Sequence, residues 1–309
     1  MKVLVTGATG FVGACLTRRL VETGYDVHIF SRQASDKWRI SDLLGQVTNH
    51  ELDLRNNTAV EKAVAKISPL IVCHLAAYGG FAFQNDTPAI IGSNFIGLVN
   101  LLRACEKVGF DCFVNTGSSS EYGKKPGPIK ETDILEPVGD YGVSKAAAAL
   151  FCQSEAAKGL PIITLRLFSP YGPWDDPKRL IPYVIKSLLR QKAPGLSSPK
   201  SVRDYIFIDD VLELYLKVIK KPPGPGDIFN AGSGIQHSIE EVAAVLREII
   251  RDAPTPEWGV VEHRQPEPET WVADINKIKK NLDWEPSTSL RNGLEKTVAW
   301  FRENLDLYP

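Results

Sequence analysis

The chain has 309 residues, 43% of them hydrophobic, with 36 basic against 37 acidic side chains and a formal net charge of -1. That length supports one large or two modest cores, and the even charge leaves no basic field to recruit nucleic acid or an anionic membrane. No run reaches the ~18 continuous apolar residues of a membrane span, and the opening Met1-Lys-Val-Leu-Val-Thr-Gly7 is too strand-like for a signal peptide, so a cytoplasmic location is expected.

In chain order, short β-branched runs fall at Lys2–Val5, Asp26–Phe30, His50–Asp53, Leu70–His74, Cys112–Thr116 and Ile162–Leu167. Amphipathic stretches lie between them at Phe11–Glu22, Thr58–Ile67, Pro88–Val108 and Val143–Lys158. Such alternation predicts an α/β fold, a doubly wound parallel sheet with helices on both faces. The strands are apolar throughout, as burial on both faces requires. After Tyr171 proline and glycine cluster and the alternation breaks. Helices are expected at Arg179–Gln191, Asp209–Lys220, Ile239–Arg251 and Leu290–Asn304, and short strands near Tyr205–Ile208 and Asp227–Asn230. Residues 1–170 then form a dinucleotide-binding domain, and 171–309 a smaller α/β substrate-binding region whose chain crosses back to the sheet near 203–231. Five scattered cysteines without a C-x-x-C pair read as buried reduced thiols, and five histidines without ligand spacing predict no metal.

The first strand runs straight into Thr6-Gly7-Ala8-Thr9-Gly10-Phe11-Val12-Gly13, and a helix follows. Gly7 permits the tight turn, Gly10 lets backbone approach a pyrophosphate, and Gly13 allows the helix to pack close to the strand. Thr9, Phe11 and Val12 are expected as further cofactor contacts on this loop. The second strand ends in Ser31-Arg32, where an acidic residue would take the ribose hydroxyls of NAD. A hydroxyl and a guanidinium suit a 2′-phosphate instead, so NADP is preferred, with NAD the alternative and Arg39 a second contact. The other reading has Arg32 stacking on adenine. Asp53 and Leu54, ending the third strand, contact the adenine edge or merely cap a loop.

Tyr141 and Lys145 stand four residues apart, on one face of a helix, with Ser118 upstream. A free tyrosine titrates near ~10, and a neighbouring cation pulls a phenol toward working range. A serine hydroxyl beside it can hold a substrate oxygen. Alone, the pair is equally a solvated helix face.

These residues resemble the extended short-chain dehydrogenases/reductases, the NAD-dependent epimerase/dehydratase group acting on nucleotide sugars. The likeness rests on Thr6 to Gly13, Leu75-Ala76-Ala77, Asn94, Ser118-Ser-Ser-Glu-Tyr-Gly123, Tyr141-x-x-x-Lys145, Arg166-Leu-Phe-Ser-Pro-Tyr-Gly-Pro173, Arg203 to Asp210 and Arg264 to Asp274. It implies a Rossmann-type fold with Tyr141 as general acid/base, Lys145 on the nicotinamide ribose, and Ser118 as the catalytic hydroxyl. Leu75, Ala76, Ala77, Asn94 and Phe168 would lie along the cofactor. Gly79, Ser119 and Ser169 would meet a nucleotide-diphosphate sugar, whose diphosphate Arg203 and Arg264 would hold. Surface ion pairing with Asp204 or Glu267 is the alternative for the two arginines.

Members share hydride transfer between nicotinamide and a sugar carbon. Dehydratases carry Asp-Glu after the catalytic hydroxyl; here Ser119 and Ser120 stand there and Glu121 comes one residue late, which disfavours dehydration. Many 4-epimerases have asparagine at the place of Ser169. Together with Ser31-Arg32 this favours an NADPH-dependent 4-keto-sugar nucleotide reductase. The alternative is an NAD-dependent 4-epimerase resembling UDP-glucose 4-epimerase; a redox-sensing dinucleotide binder is a third reading. Small and apolar residues in Pro88–Val108 and Val143–Lys158 predict a homodimer through a four-helix bundle. Phe81, Phe83, Trp174, Tyr205 and Trp271 fill a core or stack on a base.

Overall fold

Lys2–Thr6 (β1) is buried from Val3 onward and Ile71–His74 (β4) throughout, because each strand has sheet neighbours on both sides and helices on both faces. The computed structural model describes residues 1–261 and 269–308. Between those strands lie Phe11–Glu22 (α1), Asp26–Ser31 (β2), Thr48–Glu51 (β3) and Asn57–Ile67 (α2). Asn56 caps α2, its side chain accepting from the Ala59 amide at 3.1 Å. Next come Thr87–Ile91 (α3), a π-helical turn at Gly92–Ile96, and Gly97–Val108 (α4). Cys112–Ser118 (β5), Gly139–Ala156 (α5), Ile162–Leu167 (β6), Ser169–Tyr171 (β7) and Leu180–Leu189 (α6) follow. The remainder comprises Gly195–Leu196 (β8), Val202–Phe207 (β9), Ile208–Lys220 (α7), Ile228–Ala231 (β10), Gln236–Ser238 (β11), Ile239–Ile249 (α8), Glu257–Trp258 (β12), Asn276–Leu282 (α9) and Leu290–Glu303 (α10).

The main sheet has seven parallel strands in the order β10-β6-β5-β4-β1-β2-β3. This is a Rossmann-type sheet, and its order reverses between β1 and β4, so a crevice opens beyond their carboxyl ends. One apolar cluster, with Val5, Leu16, Ile29 and Leu165, packs α1 and α7 against one face and continues into α6, α8 and α10. Leu4, Val64, Leu101 and Phe113 pack α2, α4 and α5 against the other. A small sheet, β11-β9-β7, and the pair β12–β8 lie outside the main one.

Several expectations need correcting. β3 spans Thr48–Glu51, two residues earlier than His50–Asp53, because this edge strand is polar and half exposed and shows no apolar run. The helix expected over Pro88–Val108 is interrupted by the π turn at Gly92–Ile96. The helix expected from Val143 begins at Gly139, whose positive φ of 76° turns the chain into it. All five cysteines are free and buried.

Candidate active site

The glycine turn is built by close contact. Gly7 has φ +74°, and a Cβ there would lie 2.6 Å from the Ala76 nitrogen. A Cβ on Gly13 would lie 2.1 Å from the Gly7 carbonyl oxygen, so the first turn of α1 rests on the strand end. Gly10 N–H donates to the Gly7 carbonyl at 3.0 Å. Thr6 Oγ1 pairs with His74 Nδ1 at 2.8 Å and accepts from the Ala76 amide at 3.3 Å, tying β1 to the end of β4. Burial, reinforced by the Lys145 charge, lowers the His74 imidazole to about 3, so it is neutral.

A cleft of about 210 Å³ opens where these strands end. It brings together Gly7, Thr9 and Gly10, then Ser31, Arg32 and Ser35, then Asp53 and Leu54, then Leu75, Ala76 and Ala77. A glycine-floored crevice at a helix N-terminus suits the pyrophosphate of a dinucleotide. Phe11, Val12, Gly13, Asn94, Tyr141, Lys145 and Phe168 do not line it. Asn94 is buried under it: its carbonyl accepts from Tyr78 N–H at 2.7 Å, and its amide donates to Tyr78 O at 2.8 Å and Ser144 Oγ at 2.9 Å. A wider surface groove of about 710 Å³, bordered by Arg19, Lys217 and Trp284, contains none of the expected site residues.

At the far end of β2, Ser31 donates its hydroxyl to Asn49 Oδ1 at 2.8 Å, while Arg32 is exposed on the cleft rim. Asp53 is paired with Arg55 at 2.6 Å, and hydrogen bonds from that guanidinium hold its carboxyl below the usual range. Arg39 sits beside the glycine turn, its Nη1 donating to Thr9 O at 3.4 Å. It donates to Trp174 O at 2.8 Å, approaches Asp176 at 3.4 Å and covers the Trp38 ring at 4.4 Å.

Tyr141 lies half-buried in the first turn of α5 and Lys145 one turn later, buried, its ammonium donating to Thr116 O of β5. A Cβ at Gly142 would lie 2.8 Å from Ser120 O, so α5 packs directly on the 3-10 turn Ser119–Glu121 that follows β5. Ser118 caps that turn, its hydroxyl accepting from Ser120 N–H at 3.1 Å. The fold therefore sets the Tyr141 turn, the Lys145 ammonium and the Ser118 hydroxyl around the carboxyl end of one strand.

On the substrate side, Gly79 has φ +96° and its amide donates to Gln84 Oε1 at 3.1 Å. Ser119 is buried, and Ser169 pairs with Tyr205 between β7 and β9. Arg203 donates to Val202 O at 2.6 Å and sits 5.8 Å over the Trp271 ring. Asp204 is instead taken up by Ser233, Gly234 and Ala273. Arg264 and Glu267 lie outside the described residues. Trp174 packs with Trp38 and Trp300 at 5.8 and 5.0 Å, Tyr205 with Tyr171 at 6.3 Å, and Phe81 stacks on Phe83 at 5.3 Å. The pair Glu121–Arg166 behind Ser118 was not foreseen from the sequence; its carboxylate lies against Gly117.

The model of the NAD dependent epimerase/dehydratase family matches residues 3–232. A protein of Bacillus subtilis (strain 168), described as an uncharacterized UDP-glucose epimerase YtcB, is 30% identical over 97% of this chain and 98% of its own. The crystal structure of UDP-glucose 4-epimerase from Thermotoga maritima with UDP-glucose superposes with a TM-score of 0.92 at 29% identity, covering 99% of this chain and 100% of that one. The crystal structure of UDP-glucuronic acid 4-epimerase from Bacillus cereus with UDP-glucuronic acid and NAD gives 0.88 at 27%, covering 98% and 100%.

Proposed function

This chain belongs to the NAD dependent epimerase/dehydratase family, and from that premise we propose that it is a nucleotide-diphosphate-sugar 4-epimerase using NAD. The observation that carries the reading is the packing of the Tyr141–Lys145 turn on the Ser118 turn at the end of β5, the strand paired with β4, whose own end borders the dinucleotide cleft. Bound NAD supplies the reversible hydride acceptor. Tyr141 takes the proton from the C4 hydroxyl of the sugar and later returns one. Lys145 holds the cofactor ribose beside it, and Ser118 orients the C4 oxygen. Arg203 and Arg264 hold the diphosphate. Residues 1–170 serve the cofactor and 171–309 the sugar nucleotide, with β10 returning to the sheet. UDP-sugars are the first substrates to test, since the similar epimerases carry them.

A second reading has its own observation. Arg32 and Ser35 sit on the cleft rim and β2 ends in Ser31-Arg32 without an acidic residue of its own, which suits the 2′-phosphate of NADP and an NADPH-dependent 4-keto-sugar reductase, although Asp53 lines the same cleft. Denaturing the purified protein and identifying the released nucleotide separates the two. Retained NAD supports the epimerase; an empty site that takes up NADPH sinks it in favour of the reductase. A panel of 4-hydroxy and 4-keto nucleotide sugars then fixes the direction.

The helices also present an apolar face: Ile96, Val143 and Leu150 are 43, 46 and 55% exposed. We propose that this face closes a homodimer as a four-helix bundle. Sedimentation should give a dimer for the parent and a monomer for Leu150→Glu; a monomeric parent removes the proposal.

A further inference from the structure

Behind Ser118 runs a chain of buried polar groups, none of which lines the cleft. One Glu121 oxygen accepts the Ser118 N–H at 2.7 Å, and the other accepts from Arg166 Nε at 2.6 Å. Arg166 donates onward to the Tyr122 hydroxyl at 2.8 Å. Tyr122 donates to Asn230 Oδ1 of β10 at 2.7 Å, and Asn230 Nδ2 donates to Ile129 O at 2.8 Å. Glu121 is fully buried and Arg166 is 2% exposed. A Cβ at Gly117 would lie 2.6 Å from the Glu121 carboxylate, so the strand leaves room for it only as glycine.

A desolvated ion pair is a poor way to stabilise a fold, because well-packed apolar residues of similar volume do as well or better. A fully satisfied network, however, fixes direction. Here the direction is that of the Ser118 main chain, whose hydroxyl then has its place set by the Ser120 amide. We infer that Glu121 and Arg166 are positioning residues that hold the Ser118 hydroxyl in register with Tyr141. The inference rests on the role proposed above for Ser118.

The test is the double variant Glu121→Leu with Arg166→Met, which removes both charges and leaves no orphaned ion. A stability role predicts a folded, fully active enzyme. Positioning predicts a folded protein that still binds nucleotide, with kcat down about 10- to 10²-fold and KM little changed. It also predicts that the loss disappears when both substitutions are made in a Ser118→Ala background. Unchanged kcat, or the same loss in that background, overturns the inference. If the double variant fails to bind nucleotide, Tyr122→Phe, which cuts one link and keeps the ring, is read by the same two criteria. Hydrogen exchange across residues 116–123 needs no turnover and should quicken in the variant while distant segments keep the parent's protection. Should no nucleotide sugar be turned over by the parent, the proposed function fails alone, and unchanged exchange in the variant still overturns the positioning.

Discussion

At the scale of single residues the chemistry divides between a group that moves a proton and a group prevented from taking one. Tyr141→Phe removes the phenol but no atom that lines the cleft. It should lower kcat by about 10²- to 10⁴-fold while nucleotide binding, measured by titration, is unchanged. His74 is the opposite case. Its imidazole is lowered to about 3 in the fold by burial and by Lys145, against ~6.5 in an unfolded chain. Between those values the unfolded chain binds a proton that the folded chain does not. Stability is therefore greatest above the unfolded value and falls as pH drops toward the folded one, by up to about 1.4 kcal/mol per pH unit. Urea unfolding across that window measures the slope, and His74→Asn should flatten it.

Among the elements, the π turn at Gly92–Ile96 has a clear physical role. Widening the helix by a residue turns Asn94 inward, where it meets the backbone N–H and C=O of Tyr78 and the Ser144 hydroxyl of α5. The loop after β4 and the helix carrying Tyr141 are thereby joined through one amide. Asn94→Leu leaves the Tyr78 N–H unsatisfied and should cost about 1–3 kcal/mol of unfolding free energy by denaturant titration. Elements with a strong local pattern were legible in the sequence: α1 and β6 match the expected Phe11–Glu22 and Ile162–Leu167 because a sustained apolar pattern is bounded by glycine or proline. The strands β8, β11 and β12 were not, since two or three residues carry no period. The glycine turn and the Tyr141–Lys145 spacing were readable because their parts are neighbours in sequence. Glu121 and Arg166 meet only through the pairing of β5 with β6, across 45 positions, and no local pattern announces that.

Over the whole molecule, Arg39 joins the two halves of the chain. It reaches from the 3-10 turn at Trp38–Leu43 to Trp174 O and Asp176, beside a cluster of Trp38, Trp174, Trp300 and Tyr308. Arg39→Met should lower stability by about 1.5–3 kcal/mol, the usual worth of hydrogen bonds to a charged group. It should leave the choice between NAD and NADP untouched, whereas Arg32→Ala should shift that choice. Competitive titration of the two nucleotides distinguishes them, and a changed preference in Arg39→Met returns that residue to the cofactor site. The five buried cysteines have a consequence of a different kind. Burial raises every one of their thiols, with Cys105 and Cys112 pushed up to about 12. A native molecule therefore offers an alkylating reagent almost no thiolate, and labelling must wait for the fold to open. Cys15 on α1, Cys73 and Cys112 on the sheet, and Cys105 and Cys152 on the opposite helices then act as built-in stopwatches, each timing how often its own region opens.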